Sequence, residues 1–151
     1  MNNLLLPFFV TTLFLAIAQS VIIQNCGSKA GSFSKVEVTN CKIDDGAPCV
    51  LKRNTNVTIM IEFTPDKECD ELTAVVHGDL LGVDVPFPIS NPNACQSSGV
   101  HCPVENGTTY SYTATLPVLK SYPKVKVNVK WELQDANKDD IVCVLIPAKI
   151  E

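Results

Sequence analysis

Residues 125–133 read VKVNVKWEL. Val125, Val127, Val129, Trp131 and Leu133 share one parity, and Lys126, Asn128, Lys130 and Glu132 share the other. Side chains of an extended strand alternate between faces with a period of two, so the stretch predicts a strand with one apolar and one wet face. That pattern belongs to an antiparallel sheet lying on a core.

Shorter alternations precede it. Residues 35–39 and 110–116 alternate, and in 56–63 Val57, Ile59, Ile61 and Phe63 share a face, with Met60 interrupting the polar one. Residues 71–80 set Leu72, Ala74 and Val76 against Thr73, Val75 and His77. Residues 141–146 are apolar on both parities apart from Cys143, which predicts a strand covered on both sides. No long 3.6-residue period with matching caps follows the first twenty residues. Pro, Gly, Asn and Asp mark 44–48, 64–70, 91–100 and 135–140 as loops. Short strands at this spacing indicate an all-β chain, a sandwich or barrel, and a sandwich of two antiparallel sheets fits the length.

Residues 85–89 read VPFPI. Pro86 and Pro88 lack backbone donors, so the segment belongs at a sheet edge or a strand end. It holds the Phe87 ring on a stiff, extended backbone. Phe87 either plugs one end of a core or lines a space that stays open.

Residues 4–18 are almost unbroken apolar or small, and Ala16-Ile17-Ala18 has the small-x-small pattern of a signal peptidase site. The run is short for a membrane span and no basic cluster follows it. We read residues 1–18 as a secretory signal, with cleavage after Ala18 or as late as Ser20, and residues 19–151 as one domain without stable membrane insertion. A net charge of −4 without basic clusters speaks against a nucleic-acid partner.

Seven cysteines in an exported chain read as a disulfide framework with one thiol to spare. Spacing favours the local pairs Cys41–Cys49 and Cys95–Cys102. Cys26 and Cys143 would then tie the two chain ends, leaving Cys69 among acidic neighbours that disfavour a thiolate. Other pairings remain open on spacing alone. Asn56-Val57-Thr58 and Asn106-Gly107-Thr108 are glycosylation sequons, and predict exposure at Asn56 and Asn106.

Catalytic patterns are missing from the sequence. His77 and His101 are the only histidines; one sits in a predicted strand and the other beside Cys102. There is no G-x-S-x-G elbow, H-E-x-x-H helix, phosphate loop or dinucleotide fingerprint. The Asp pairs 44–45 and 139–140 suit turns rather than a calcium loop. No tight Cys/His cluster suggests zinc. The reading is therefore no catalytic residue, no metal and no cofactor. Phe33, Phe63, Phe87, Tyr110, Tyr112, Tyr122 and Trp131 supply many rings for a strand protein of this size. Two sheets can part at one end and admit an apolar ligand between them. Phe87 between its prolines, and Tyr122 before Pro123, suit such a mouth.

An ordered series of motifs spans residues 25–147. It runs Asn25-Cys26-Gly27-Ser28, Ala74-Val75-Val76-His77-Gly78, Gly82-Val83, VPFPI, Cys102-Pro103, Tyr110-Ser111-Tyr112, Leu116-Pro117-Val118, Tyr122-Pro123, WELQD at 131–135, Cys143 and Pro147. In this series the chain resembles the secreted lipid-recognition (ML) domain family. It looks most like the branch of the Niemann-Pick type C soluble sterol carrier, and is also similar to mite group 2 allergens. The resemblance implies an immunoglobulin-like sandwich of two sheets with a lipid tunnel between them. It implies the disulfides Cys26–Cys143, Cys41–Cys49 and Cys95–Cys102, and a tunnel mouth at Phe87, Val118 and Tyr122. The implied ligand is a sterol, a fatty acid or a small hydrophobic signal, carried in extracellular fluid or the lysosomal lumen. An acceptor or receptor protein is a further implied partner. The alternative function is an innate-immune recognition protein whose bound lipid alters docking on a receptor. A lipid hydrolase is the least favoured class.

Overall fold

The computed structural model describes residues 23–42 and 46–151. The expected signal segment and part of the 44–48 loop lie outside them.

Among the described residues nine strands form two sheets. The smaller contains β2 (Gly31–Val38), β4 (Thr55–Pro65) and β7 (Tyr110–Val118), in the order β2-β4-β7. The larger contains β1 (Gln24–Asn25), β3 (Cys49–Leu51), β5 (Thr73–Leu80), β6 (Val83–Pro86), β8 (Lys126–Gln134) and β9 (Asp140–Ile150). Its order is β1-β9-β8-β5-β6, with β3 on β9 as well. All pairings are antiparallel except that of β3, which runs parallel to β9.

VKVNVKWEL falls in and just before β8, a central strand. Trp131 and Leu133 are buried, Val127 and Val129 are half-buried, and Lys126 and Asn128 are exposed. One residue departs from the predicted wet face: Glu132 is buried. Its register partners are Val75 and Cys143, and the Cys26–Cys143 disulfide covers that part of the sheet. Below β8 lie Ile59, Ile61 and Phe63 of β4 and Tyr112 of β7, all in the same buried cluster. Burying each such side chain contributes roughly 1.5–3 kcal/mol.

β9 continues past Pro147, where the sequence reading ended its strand. On one side of β9, β1 pairs only to Val144 and Leu145 and β3 starts at Ala148. Pro147 falls in the gap between them, where a missing donor costs a central strand least. Pro117 and Pro86 sit on the edge strands β7 and β6. The VPFPI segment is thus an edge strand and its end.

Cys41, following β2, is bonded to Cys49 of β3 and so links the two sheets. Cys95–Cys102 closes a loop between β6 and β7, and Cys69 is free and buried. Gly31 lets β2 approach β9: a Cβ there would lie 2.7 Å from the Ile141 carbonyl oxygen and 2.9 Å from that of Thr64. The connections 52–54 and 119–125 cross between the sheets at one end, which also carries Val118, the start of β8 and the end of β9.

Candidate functional site: an apolar cavity between the sheets

Both sheets contribute their inner faces to a cavity at this end. Ile59, Leu116 and Val118 come from the small sheet, and Val76, Val129, Trp131, Ile146 and Ile150 from the large one. Leu51, Val38 and Phe87 complete its walls. Every lining residue is apolar or glycine except His77, whose Nδ1 lies 3.7 Å from Glu132 Oε2. The lining thus offers no Lys or Arg to pair with a buried carboxylate, and His77 already faces Glu132. The surface suits a ligand recognised by shape and apolar contact.

Phe87 reaches the cavity because its own amide continues the ladder where its neighbours cannot. Its N–H donates to the Val76 carbonyl at 2.9 Å, between two prolines that have no donor. The ring packs on Tyr122 with centroids 4.7 Å apart and planes at 48°, a tilted aromatic pair. Tyr122 donates its amide to Leu119 at 3.1 Å, and burial pushes its phenol upward from 10.0. Of the three expected mouth residues, Phe87 and Val118 line the cavity, and Tyr122 stands outside against Phe87.

Val127, Val129 and Trp131 share a strand face in the sequence, but alternation alone does not place that face at a cavity. Leu51 carries no such signal because β3 is too short to alternate, and Ile150 lies beyond Pro147, where the apolar run ends. Val38 lies at the end of β2, where position alone does not separate core from cavity.

The cavity holds about 70 Å³. That is well below the roughly 300–1,000 Å³ typical of a small-molecule site. The lining must therefore rearrange before a sterol-sized molecule can occupy the space. The implied tunnel is a narrow apolar seam in this conformation.

Trp131 also lines a groove of about 440 Å³ beside β7, with Tyr112 and Ser97 to Gly99. The Tyr112 and Trp131 rings are 6.1 Å apart. Neither Tyr112 Oη nor Trp131 Nε1 has a hydrogen-bond partner among the described residues. Burial pushes the Tyr112 phenol up to about 12, and the neighbouring Trp131 indole N–H pulls weakly the other way without meeting hydrogen-bond geometry. Glu132, Asp140 and Cys143 come together on the outer face, but the Cys143 sulfur is committed to its disulfide and offers no thiolate. Asn56 and Asn106 are both exposed, and Gly107 takes the positive φ of a turn.

Comparison with known proteins places this geometry. The model of the ML domain matches residues 20–150. The chain is 50% identical over 137 residues to the NPC intracellular cholesterol transporter 2 homolog a of Drosophila melanogaster, covering 91% of this chain and 92% of that one. It is 46% identical over 144 residues to the ecdysteroid-regulated 16 kDa protein of Manduca sexta, covering 95% and 98%. The crystal structure of a Niemann-Pick type C2 protein from the Japanese carpenter ant superposes with a TM-score of 0.82 at 32% identity, covering 86% of this chain and 99% of that one.

Proposed function

From the premise that the chain belongs to the ML-domain family, in its Niemann-Pick type C2-like branch, we propose that it is a soluble carrier of a sterol or similar hydrophobic molecule held between its sheets. The family's members carry lipid without transforming it, and this chain is a non-catalytic member. The observation behind the ligand class is the lining: aliphatic and aromatic side chains from both sheets, with no Lys, Arg, Asp or Glu among them. A sterol suits such a wall better than a fatty acid whose carboxylate must be buried. A fatty acid is accommodated if its carboxylate stays at the mouth. Each buried methylene contributes roughly 0.8 kcal/mol to either ligand.

Phe87, Val118 and Tyr122 are the proposed mouth, with the ring pair parting as the sheets separate. Asn56 and Asn106 are proposed glycan acceptors. The proposed setting is extracellular fluid or the lysosomal lumen. Fluorescence titration with dehydroergosterol, followed by displacement with cholesterol and with oleate, tests the carrier reading. One saturable site per chain is expected, with the lipid recovered unchanged by mass spectrometry. Absence of saturable binding for every lipid class would overturn it.

A second reading is lipid-dependent docking on a receptor. It draws on exposed Leu81, Val83, Leu119 and Val50 near the same end. Exposed apolar groups that gather beside a mouth suit a partner surface. Receptor pull-down with and without lipid separates the two: the carrier reading alone requires no lipid-dependent capture.

A further inference from the structure

Arg53 is the chain's single arginine. It lies in the 52–54 turn between β3 and β4, and no carboxylate among the described residues pairs with it. Its Nη1 instead donates to two backbone carbonyls of the other crossing connection, Lys120 at 3.0 Å and Tyr122 at 3.3 Å. Nη1 carries two hydrogens, so one nitrogen serves both oxygens without sharing a proton. The turn itself is fixed on both sides. Arg53 N–H donates to the Glu151 carbonyl at 2.8 Å, and Asn54 N–H to that of Val118 at 2.7 Å.

We propose that Arg53 is a positioning residue that clasps the 119–125 connection over the cavity and sets how fast ligand enters and leaves. The inference rests on the carrier reading above. The contacts run from Arg53 to the Tyr122 carbonyl, through the Tyr122 ring to Phe87, and from Phe87 to the cavity lining. Tyr122 has one other backbone anchor, its bond to Leu119, which lies in the same connection. The clasp is thus what fixes that segment to the β3–β4 turn. Arg53 is not among the lining residues, so a ligand does not compete for its guanidinium, and in this scheme the 119–125 connection settles back over the filled cavity with the clasp re-formed. An interaction present in both closed states and absent while the mouth is open adds equally to the barriers for uptake and release. It leaves their ratio, and so the affinity, unchanged.

The test is stopped-flow binding of dehydroergosterol to the full chain and to R53Q. Both association and dissociation are expected to speed up by about tenfold, as for loss of a charged hydrogen bond, with equilibrium affinity retained. R53K keeps a charged donor at that position and should move the rates back toward the parent protein. In the empty protein, hydrogen exchange across residues 119–122 should rise in R53Q. Unchanged exchange overturns the clasp, and this readout stands even if the chain binds no sterol. Raised exchange with unchanged binding rates overturns its control of ligand passage. A lower unfolding midpoint with neither kinetic change assigns Arg53 to stability alone and overturns the proposal.

Discussion

The rings of Phe87 and Tyr122 meet at 4.7 Å, one carried just past an edge strand of the large sheet and the other on the connection arriving from the small sheet. The contact is non-covalent, and its two halves belong to different segments of the chain, with Phe87 alone of the two lining the cavity.

Removing the Phe87 ring tests whether it serves the ligand or the core. Phe87 is half-buried and borders a cavity, so the empty protein lacks part of its packing. F87A should cost less stability than the roughly 3–5 kcal/mol of a fully packed phenylalanine. It should weaken sterol binding by at least about tenfold, or about 1.4 kcal/mol. Denaturant unfolding without lipid and equilibrium titration supply the two numbers. Full-size destabilisation with unchanged affinity would make Phe87 a core plug.

Tyr112 offers the opposite case, a buried hydroxyl with nothing to bond. Removing an unsatisfied buried polar group takes away a desolvation penalty. Y112F should therefore keep or raise stability, by up to roughly 1 kcal/mol. A clear loss in urea unfolding would mean that the hydroxyl has a partner such as an ordered water.

Glu132 predicts a pH dependence. Burial, reinforced by the Asp140 carboxylate, holds its carboxyl above 4.5, against the pull of Lys130 and His77. A carboxyl raised by folding stabilises the native state fully below its unfolded pKa, and that contribution is lost as pH rises through the folded value. E132Q should thus gain stability over the parent protein at neutral pH, and the gap should close as pH falls toward 4.5. Thermal unfolding at a series of pH values reads the difference. A gap that widens on acidification reverses the sign and rejects the assignment.

Gly31 is irreplaceable for a reason of distance. A Cβ would meet the Ile141 carbonyl at 2.7 Å, the Ile141 Cγ2 at 2.8 Å and the Thr64 carbonyl at 2.9 Å. Two of these are backbone atoms in strands on either side, so relief requires strand displacement. G31A should cost at least roughly 3 kcal/mol, in the range of severe core substitutions. A denaturation midpoint close to the parent's would show that β2 can shift freely.

The long strands were readable because alternation is a local signal. The β8 parity placed Val127, Val129, Trp131 and Leu133 on one face from sequence alone. Two prolines around Phe87 likewise identified an edge. β1 and β3 left no such trace, since two or three residues cannot establish a period. Pro147 concealed the end of β9 because only the gap between β1 and β3 explains why a proline is tolerated there. The burial of Glu132 follows from neighbours on β5 and β9, and the bonds of Arg53 from a loop 67 residues away. The cavity volume depends on how closely two sheets settle, which no single strand encodes.

The Cys41–Cys49 bond sits along one edge of the sandwich, where β2 of the small sheet comes beside β3 of the large one. Along the opposite edge, β6 and β7 are joined only by the chain between them, and the Phe87–Tyr122 contact is non-covalent. The two sheets are therefore bound like the covers of a book, with a disulfide spine on one side and, at the rings, a fore-edge held by chain crossings and non-covalent contacts. If the cavity widens by a swing about that spine, it gains most volume near Phe87 and least beside Cys49. A rigid, flat guest would accordingly lie with its thick end at the fore-edge and its thin end toward the binding, and the wedge-shaped gap would select for taper as well as for greasiness.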